Sequence, residues 1–316
     1  MKVTGVNFRN RILFTASWRP SLRLGAFARD LFSDCGLLLM ERASRVTAVV
    51  AVLAALLQLA PTRAHAEGDR VRILVLKEHG VGSSALAQPY VDRFVALAAE
   101  QNGWTDARGQ YCTNRSAAEA FIAAERPHFG ILSLAAFLAL QGKYHLEVIG
   151  QVAVSLVGGR QYYVISKMAA DLATCKGKTL ASDHTDDTQF IERVVAAGHF
   201  KLTDFTVIRV QRPLQTIRKV ITGDAVCALI DDAQLAELAH VESADGLHPV
   251  WKSTELPPMA VVAFPAAGAE ERHRFQETLT KVCENGGESI CAEVGIVSLK
   301  TASASEYASV LAAYSK

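Results

Sequence analysis

The sequence of 316 residues lacks several features that mark common classes of protein. It has no run of Lys and Arg, and its formal net charge is only +1, which argues against a broad surface for nucleic acid or anionic membrane. It has no C-x-x-C motif and no Cys/His pair at zinc spacing, so a structural zinc site is not indicated. It also lacks internal repeats and low-complexity tracts. These absences, with half of the residues apolar, indicate an ordinary globular chain.

The longest apolar run is too short for a typical membrane-spanning helix. It covers residues 46 to 60, whereas a spanning helix needs roughly 20 apolar residues. Arg42 and Arg45 precede the run, and Pro61 and the small-x-small triplet at residues 64 to 66 follow it. This order is typical of a secretory signal peptide and predicts cleavage after Ala66. A membrane anchor is the alternative interpretation.

The segment before the cleavage position differs in charge from the rest of the chain. Residues 1 to 66 contain nine basic and three acidic residues, which leaves 24 basic and 29 acidic residues from Glu67 onward. No Cys stands at the cleavage position, so a lipid-anchored form is not expected. Met40 stands where an ordinary signal peptide would begin. We therefore interpret residues 40 to 66 as the signal peptide and residues 1 to 39 as an over-extended gene start.

Five cysteines follow the predicted cleavage position, which places them in an oxidising compartment. The eight-residue spacing of Cys283 and Cys291 encloses a turn-forming Asn-Gly-Gly stretch, so we predict a disulfide there. Cys175 and Cys227 form a second, weaker candidate pair. The five are Cys112, Cys175, Cys227, Cys283 and Cys291, and because five is an odd number, at least one should stay unpaired.

Short apolar runs alternate with helical patterns through the rest of the chain. Residues 71 to 76 predict a strand, Pro89 suits the first turn of the following helix, and Ser116 with Glu119 predicts a capping box that opens the next one. A βαβαβ order ends near residue 157, and the same order restarts after Gly158 and Gly159. Two α/β lobes follow from this repetition. Residues 250 to 265 are expected to return the chain to the first lobe.

Four collinear motifs resemble those of a known family. They are HFGILSLAAFL at residues 128 to 138, DLATCKGKTLA at residues 171 to 181, the step to an apolar strand at residues 216 to 230, and LPPM at residues 256 to 259. Each is similar to an element of the periplasmic phosphate/phosphonate-type solute-binding proteins of ABC transporters, which are type 2 periplasmic binding proteins. The likeness covers about residues 70 to 300.

The resemblance implies an α/β, two-lobed fold, each lobe a mixed sheet flanked by helices and the two joined by two crossing strands. We expect lobe 1 at residues 67 to 157, lobe 2 at residues 158 to 249, and a return strand with C-terminal helices at residues 250 to 316. It also implies a periplasmic monomer that closes on a small-molecule ligand, without a cofactor, and delivers that ligand to an ABC permease.

Ligand contacts are expected in loops that follow the strands. These loops span residues 79 to 84, 113 to 116, 133 to 134, 182 to 188 and 231 to 232. The candidate ligand-binding residues are His79, Ser83, Ser84, Thr113, Ser133, Ser182, His184, Thr185 and Asp231.

The loop SDHTDDT at residues 182 to 188 departs from the hydroxyl-rich loop of the resembled family. Its three carboxylates repel a phosphonate. The loop can still bind an oxyanion through hydroxyl and backbone donors, and it equally suits a cationic or polyhydroxylated ligand. Alternatively, Asp186 or Asp187 simply caps the next helix.

Other functions find less support in the residues. A metal site formed by His79 and His184 together with Asp183 or Asp231 is a weakly supported hypothesis. Tyr90, Tyr162 or Tyr163 could line the cleft, although neighbours in a strand point to opposite faces. The GVGSS stretch at residues 80 to 84 has neither the Walker lysine nor G-x-S-x-G, so we expect no enzyme. A ligand-sensing module for a membrane receptor remains the alternative to transport, and a hydrolase that uses the same cleft is a weaker one.

Overall fold

The computed structural model describes residues 70–78, 83–154, 158–284 and 286–316. The predicted signal peptide, the segment before it and His79 lie outside these residues, so those interpretations stay predictions.

The first run of the chain alternates strands and helices. It contains β1 (Arg70–Leu76), α1 (Ser84–Asn102), β2 (Asp106–Cys112), α2 (Arg115–Glu125), β3 (Phe129–Leu132), α3 (Leu134–Tyr144) and β4 (Glu147–Val154).

The second run begins after residue 158 and includes a π-helix (Phe190–Val195). Its other elements are β5 (Tyr162–Ser166), α4 (Leu172–Cys175), β6 (Thr179–Ser182), β7 (Thr206–Arg209), α5 (Pro213–Ile221), β8 (Cys227–Asp231), α6 (Asp232–Glu237) and β9 (His248–Lys252), with short 3-10 helices at Leu202–Asp204 and Leu238–His240.

The last run contains two strands, three helices and a 3-10 helix. They are β10 (Met259–Ala263), α7 (Ala269–Val282), α8 (Glu288–Glu293), β11 (Ile296–Thr301), the 3-10 helix Ala304–Tyr307 and α9 (Ala308–Tyr314).

The strands form two mixed sheets. The first has the order β11-β4-β10-β3-β1-β2 and the second the order β7-β6-β8-β5-β9. β1 runs parallel to β2 and β3, whereas β10 runs antiparallel to β3 and β4. In the second sheet β6 runs parallel to its neighbours and β5 runs antiparallel to β8 and β9. Two mixed sheets, one in each lobe, confirm the predicted fold class.

The chain passes between the sheets twice. It leaves the first sheet after Val154 and enters the second at Tyr162, and it leaves the second after Lys252 and re-enters the first at Met259. The lobe boundaries expected from the sequence stay predictions. The residues described in these connections, 158–161 and 253–258, are not in strands. We call the two connections crossing segments.

Strand β2 and the start of α1 differ from the sequence-based expectation. β2 is an edge strand paired only with β1, and its residues DARGQYC show no apolar alternation. Helix α1 packs closely on it: a Cβ at Gly109 would come within 2.7 Å of the Val95 side chain. Helix α1 begins at Ser84 rather than at Pro89, because Ser83 Oγ caps the Leu86 N–H at 3.3 Å. Pro89 therefore lies inside the helix.

Both predicted disulfides are present. Cys175 is bonded to Cys227 with 6.1 Å between their Cα atoms, and Cys283 is bonded to Cys291 with 5.6 Å. The first joins α4 to β8 in the second lobe, and the second ties the end of α7 to α8. Cys112 is a free, buried thiol, and burial raises its pKa.

The helices cover the sheets and bury aromatic clusters. Trp104, Phe129 and Phe275 of α7 form one aromatic cluster with ring centroids 4.5 to 5.6 Å apart. Within the described ranges no helix has both the length and the apolar character needed to cross a membrane.

Candidate ligand-binding cleft

A cavity of about 310 Å³ lies between the two lobes. The first lobe contributes Glu78, Thr113, Asn114, Arg115, Ser116 and Ala135, and the second contributes Tyr162, His184, Asp186, Asp187 and Phe190. Most of these residues follow the carboxyl ends of β1, β2, β3 and β6. Such strand ends are where open α/β sheets bind ligands.

Helix α2 directs its first turn toward the cavity. The sequence predicted Ser116 as its capping residue, but the cap is Asn114, whose Oδ1 accepts the Ala117 N–H at 2.9 Å. Ser116 instead lies in the first turn and lines the cavity. The first-lobe wall therefore combines hydroxyl groups with the positive end of a helix dipole.

Arg115 is bound by two carboxylates. Its Nε and Nη2 donate to the two oxygens of Glu78 at 2.8 and 2.9 Å, and its Nη1 donates to Asp187 Oδ2 at 2.9 Å. The Glu78 and Asp187 side chains are only 10% and 11% exposed. Burial alone would lower the Arg115 pKa, but these carboxylates raise it. Because Glu78 belongs to the first lobe and Asp187 to the second, the ion pair crosses the cleft.

The C-terminal helix adds to this cross-lobe contact. Tyr314 Oη donates to Asp187 Oδ2 at 3.1 Å, and the Tyr314 carbonyl accepts hydrogen bonds from Arg193 and Gln189. Burial and the Asp187 charge raise the pKa of Tyr314 to about 12. Asp187 Oδ1 also accepts the Phe190 N–H at 2.9 Å, so the carboxylate caps the π-helix as well.

A buried polar network supports the second-lobe wall. His184 Nε2 lies 2.8 Å from Gln234 Oε1, and Asp183 Oδ1 accepts from Gln234 Nε2 at 3.0 Å and from Thr216 Oγ1 at 2.8 Å. Gln234 Oε1 also accepts the Asp231 N–H, which fixes it as an acceptor, so His184 Nε2 is the donor. Burial alone would lower the His184 pKa, but the carboxylates of Asp183 and Asp231 raise it above its usual value.

Tyr162 lines the cavity near the first crossing segment. Its ring packs edge-on against His184 and Phe190, with centroids 5.3 and 5.9 Å apart. The residue is only 5% exposed, and its hydroxyl makes no hydrogen bond to any residue in the described part of the chain. Burial, with Asp231 the next cause, raises its pKa well above the usual value, which keeps the phenol neutral.

The family of the chain follows from a comparison with known proteins. Residues 84–307 match the family described as ABC transporter, phosphonate, periplasmic substrate-binding protein. The chain belongs to this phosphonate-binding family. No curated protein matches the chain in sequence.

Solved structures share the fold of this phosphonate-binding family member at low identity. A binding protein component of an ABC phosphonate transporter from Pseudomonas aeruginosa is 15% identical, with 77% of this chain and 84% of that chain covered and a TM-score of 0.59. PhnD1 from Prochlorococcus marinus, in complex with methylphosphonate, is 10% identical, with 77% and 96% covered and a TM-score of 0.59. A chloride-bound protein from Xanthomonas citri is 10% identical, with 77% and 97% covered and a TM-score of 0.61. These likenesses show the type 2 periplasmic binding fold.

Two of the predicted ligand-binding residues meet at the cavity of this phosphonate-binding family member. Thr113 and His184 line it from opposite lobes. Ser133 occupies the N-cap position of α3, two residues before the lining Ala135, and its buried Oγ has no hydrogen-bond partner among the described residues. No measurement tests these roles, so they stay predictions.

The other predicted residues have structural partners or lie away from the cavity. Ser182 Oγ donates to the Leu229 carbonyl at 2.8 Å and accepts the His184 N–H at 3.0 Å. Asp231 caps α6 and accepts the Gly159 N–H at 3.1 Å. Thr185 is buried, and Ser83 and Ser84 form the start of α1 without lining the cavity.

Several cavity residues were not selected from the sequence. The loop at residues 113 to 116, which the sequence predicted to contact ligand, contains Asn114, Arg115 and Ser116. The position of a residue after a strand therefore helped to predict that it lines the cavity. Glu78 follows β1 by two residues and carries the same signal. Tyr314 contacts Asp187 across 127 residues, and no local pattern indicates that contact.

Proposed function

We propose that the protein is exported to the periplasm, captures a small polar solute in the inter-lobe cavity and delivers it to the permease of an ABC transporter. The observation that carries this proposal is a cavity of about 310 Å³ lined by polar groups of both lobes. This volume lies at the lower end of pockets that hold small molecules. Membership in a transport family and the predicted signal peptide support the proposal.

Closure of the lobes would bury the solute between two chemically different walls. On the first-lobe wall Thr113, Ser116 and the free N–H groups of α2 suit an oxyanion of the kind that PhnD1 holds as methylphosphonate. On the second-lobe wall His184 and Tyr162 offer further polar groups. We assign no catalytic step to these residues and propose that the protein acts as a monomer.

Ligand-dependent stabilisation of the purified protein tests the proposal. A solute that binds only the folded state at 100 times its Kd stabilises it by about 2.7 kcal/mol. We therefore expect the solute identified by native mass spectrometry after mild purification to raise the melting temperature. It should also lower the radius of gyration in solution scattering if the cleft closes.

A matched pair of variants locates the binding site. Thr113→Val removes a cavity hydroxyl with little change in shape and should weaken binding about fivefold, the equivalent of roughly 1 kcal/mol for one neutral hydrogen bond. Thr280→Val removes an exposed hydroxyl on α7 and should leave binding unchanged. The proposal fails if no co-purified or added solute shifts the melting temperature.

A further inference from the structure

A second cavity lies beside the second sheet, where the crossing segments meet it. It has a volume of about 350 Å³ and shares no lining residue with the cavity between the lobes. The loop after the π-helix, the edge strand β9 and both crossing segments contribute to its wall, with Gln161, Ala197, His199, Trp251, Lys252 and Thr254 among the lining residues. This cavity is therefore a candidate site separate from the ligand-binding cleft.

Trp251 gives the second cavity an aromatic wall. Its half-buried ring packs against Phe200 and His199, with centroids 5.1 and 6.0 Å apart, and it lines the cavity. The indole N–H donates to no residue in the described ranges. An aromatic surface beside an unused N–H suits a ligand that combines a planar ring with a hydrogen-bond acceptor.

The other unused polar groups of this wall can all donate hydrogen bonds. The Lys252 ammonium forms no ion pair or hydrogen bond with any residue that the structure describes, and it stands on a flexible four-carbon stem. The Thr254 hydroxyl and the His199 ring nitrogens also have no hydrogen-bond partner in the described part of the chain. A ligand rich in acceptors would satisfy these groups together.

The lining charge is positive. Lys252 is the one permanent cation among the described lining residues, and none of those residues is Asp or Glu. The amide oxygen of Gln161 does not offset this charge, because it already accepts a hydrogen bond from Tyr163 Oη at 2.6 Å. A single cation matches a carboxylate, which carries one negative charge, better than a phosphate monoester, which carries roughly 1.5 to 2 at pH 7.

The loop after the π-helix places His199 at the cavity. Ala197 and Gly198 both have left-handed backbone conformations, with φ of 47° and 88°. An alanine disfavours this region, so the surrounding contacts must hold it there. The His199 N–H donates to the Ala196 carbonyl at 2.9 Å, and the His199 carbonyl accepts from Lys176 Nζ at 3.1 Å. The backbone of His199 is thus bound on both sides, whereas its ring nitrogens stay available.

We propose that the second cavity binds a small aromatic carboxylate, whose ring packs on Trp251 and whose carboxylate accepts hydrogen bonds from Lys252 and Thr254. The volume lies at the lower end of pockets for small molecules, which suits a ligand with a single ring. The site is additional to the proposed transport function, because the transported solute occupies the other cavity. Gln161 and Thr254 belong to different crossing segments, so the bound carboxylate contacts both connections between the lobes.

Benzoate and benzamide test the proposal, because they share a ring and differ in charge. Benzoate should shift the Trp251 indole N–H resonance in a nitrogen–proton correlation spectrum of the purified protein, and Trp251→Phe assigns that resonance by its loss. Benzoate should bind about tenfold more tightly than benzamide, since hydrogen bonds to charged groups are stronger than those between neutral groups. Cyclohexanecarboxylate keeps the charge without a planar ring and should bind more weakly than benzoate.

Lys252→Gln should reduce the preference for benzoate over benzamide to about twofold, because it removes the cation and keeps a donor. Lys178→Gln, which replaces an exposed lysine of the same lobe outside the cavity, is the matched control and should keep the wild-type preference.

Three results would overturn the second site and leave the proposed transport function standing. They are equal binding of benzoate and benzamide, an unchanged preference in Lys252→Gln, and a benzoate-induced shift of the Thr113 amide without a shift of the Trp251 indole. The last result would place benzoate in the cleft between the lobes.

Discussion

Buried polar residues position the cleft wall of the second lobe. His184 lines the cavity, and its imidazole donates to Gln234, which in turn donates to Asp183. Ser182 supports the same loop by accepting the His184 N–H. The sequence predicted several ligand contacts in the loop at residues 182 to 188. In the structure His184 lines the cavity, whereas Ser182 stabilises the loop.

The raised pKa of His184 predicts a pH-dependent stability. Because the folded-state pKa lies above the unfolded value of about 6.5, protonation favours the folded state. That contribution is fully present below pH 6.5 and is lost as the pH rises through the folded pKa. We therefore expect the wild-type free energy of unfolding, relative to that of His184→Gln, to be constant below pH 6.5 and to fall as the pH rises above it.

Urea unfolding at a series of pH values measures this difference. His240→Gln, which replaces an exposed histidine of the same lobe, serves as the control and should follow the wild-type profile. Parallel profiles for the wild-type protein and His184→Gln would show that His184 does not favour its protonated form in the folded state.

At the scale of elements, tertiary contacts decide what local sequence leaves open. The edge strand β2 has no apolar alternation, and it forms because β1 pairs with it on one side while α1 packs on Gly109. The start of α1 follows a capping hydrogen bond of Ser83 rather than the position of Pro89. The sequence therefore provided no indication of β2, and it placed the start of α1 too late.

The two disulfides should contribute unequally to stability. Loop-closure entropy assigns about 4 kcal/mol to the Cys175–Cys227 bond, which closes 52 residues, and about 2.5 kcal/mol to the Cys283–Cys291 bond, which closes 8. We expect the Cys175→Ala/Cys227→Ala variant to lose more free energy of unfolding than the Cys283→Ala/Cys291→Ala variant. Denaturant titration of both variants beside the wild-type protein checks the order, and a reversed order contradicts the entropic account.

On the scale of the whole molecule, one carboxylate contributes to the contact between the lobes. Asp187 of the second lobe binds Arg115 of the first, and it also accepts from Tyr314 at the end of the chain. The 3-10 helix before α9 is attached to the first lobe, where the Tyr307 ring packs on Phe137. The C-terminal segment therefore contacts both lobes beside the cavity.

Removal of the Asp187 charge should open the unliganded protein. Asp187→Asn breaks the cross-lobe ion pair with Arg115, so we expect a larger radius of gyration in solution scattering. Glu293→Gln is the matched control, because it removes an ion pair with Arg93, at 2.6 Å, that lies within the first lobe. Equal radii for the Asp187→Asn and wild-type proteins would show that this contact does not hold the lobes together.

The sequence by itself determined most of the alternating strands and helices, the division into two α/β lobes, both disulfides and the family. Each of these depends on local signals such as apolar periodicity, glycine positions, cysteine spacing and collinear motifs. The sequence also placed much of the cavity in strand-end loops, since that position follows from fold class alone. Thr113 and His184 were selected on this basis, and both line the cavity.

Only the tertiary structure decided which polar groups meet. Arg115 binds Glu78 and Asp187 from sequence distances of 37 and 72 residues, and Tyr314 reaches Asp187 from 127 residues away. The same packing turned Ser182 and Asp231 inward to structural partners and left the Tyr162 hydroxyl without one among the described residues. Hydrogen bonds and charge compensation depend on distances between side chains, and those distances are set when the two sheets and the C-terminal helix come together.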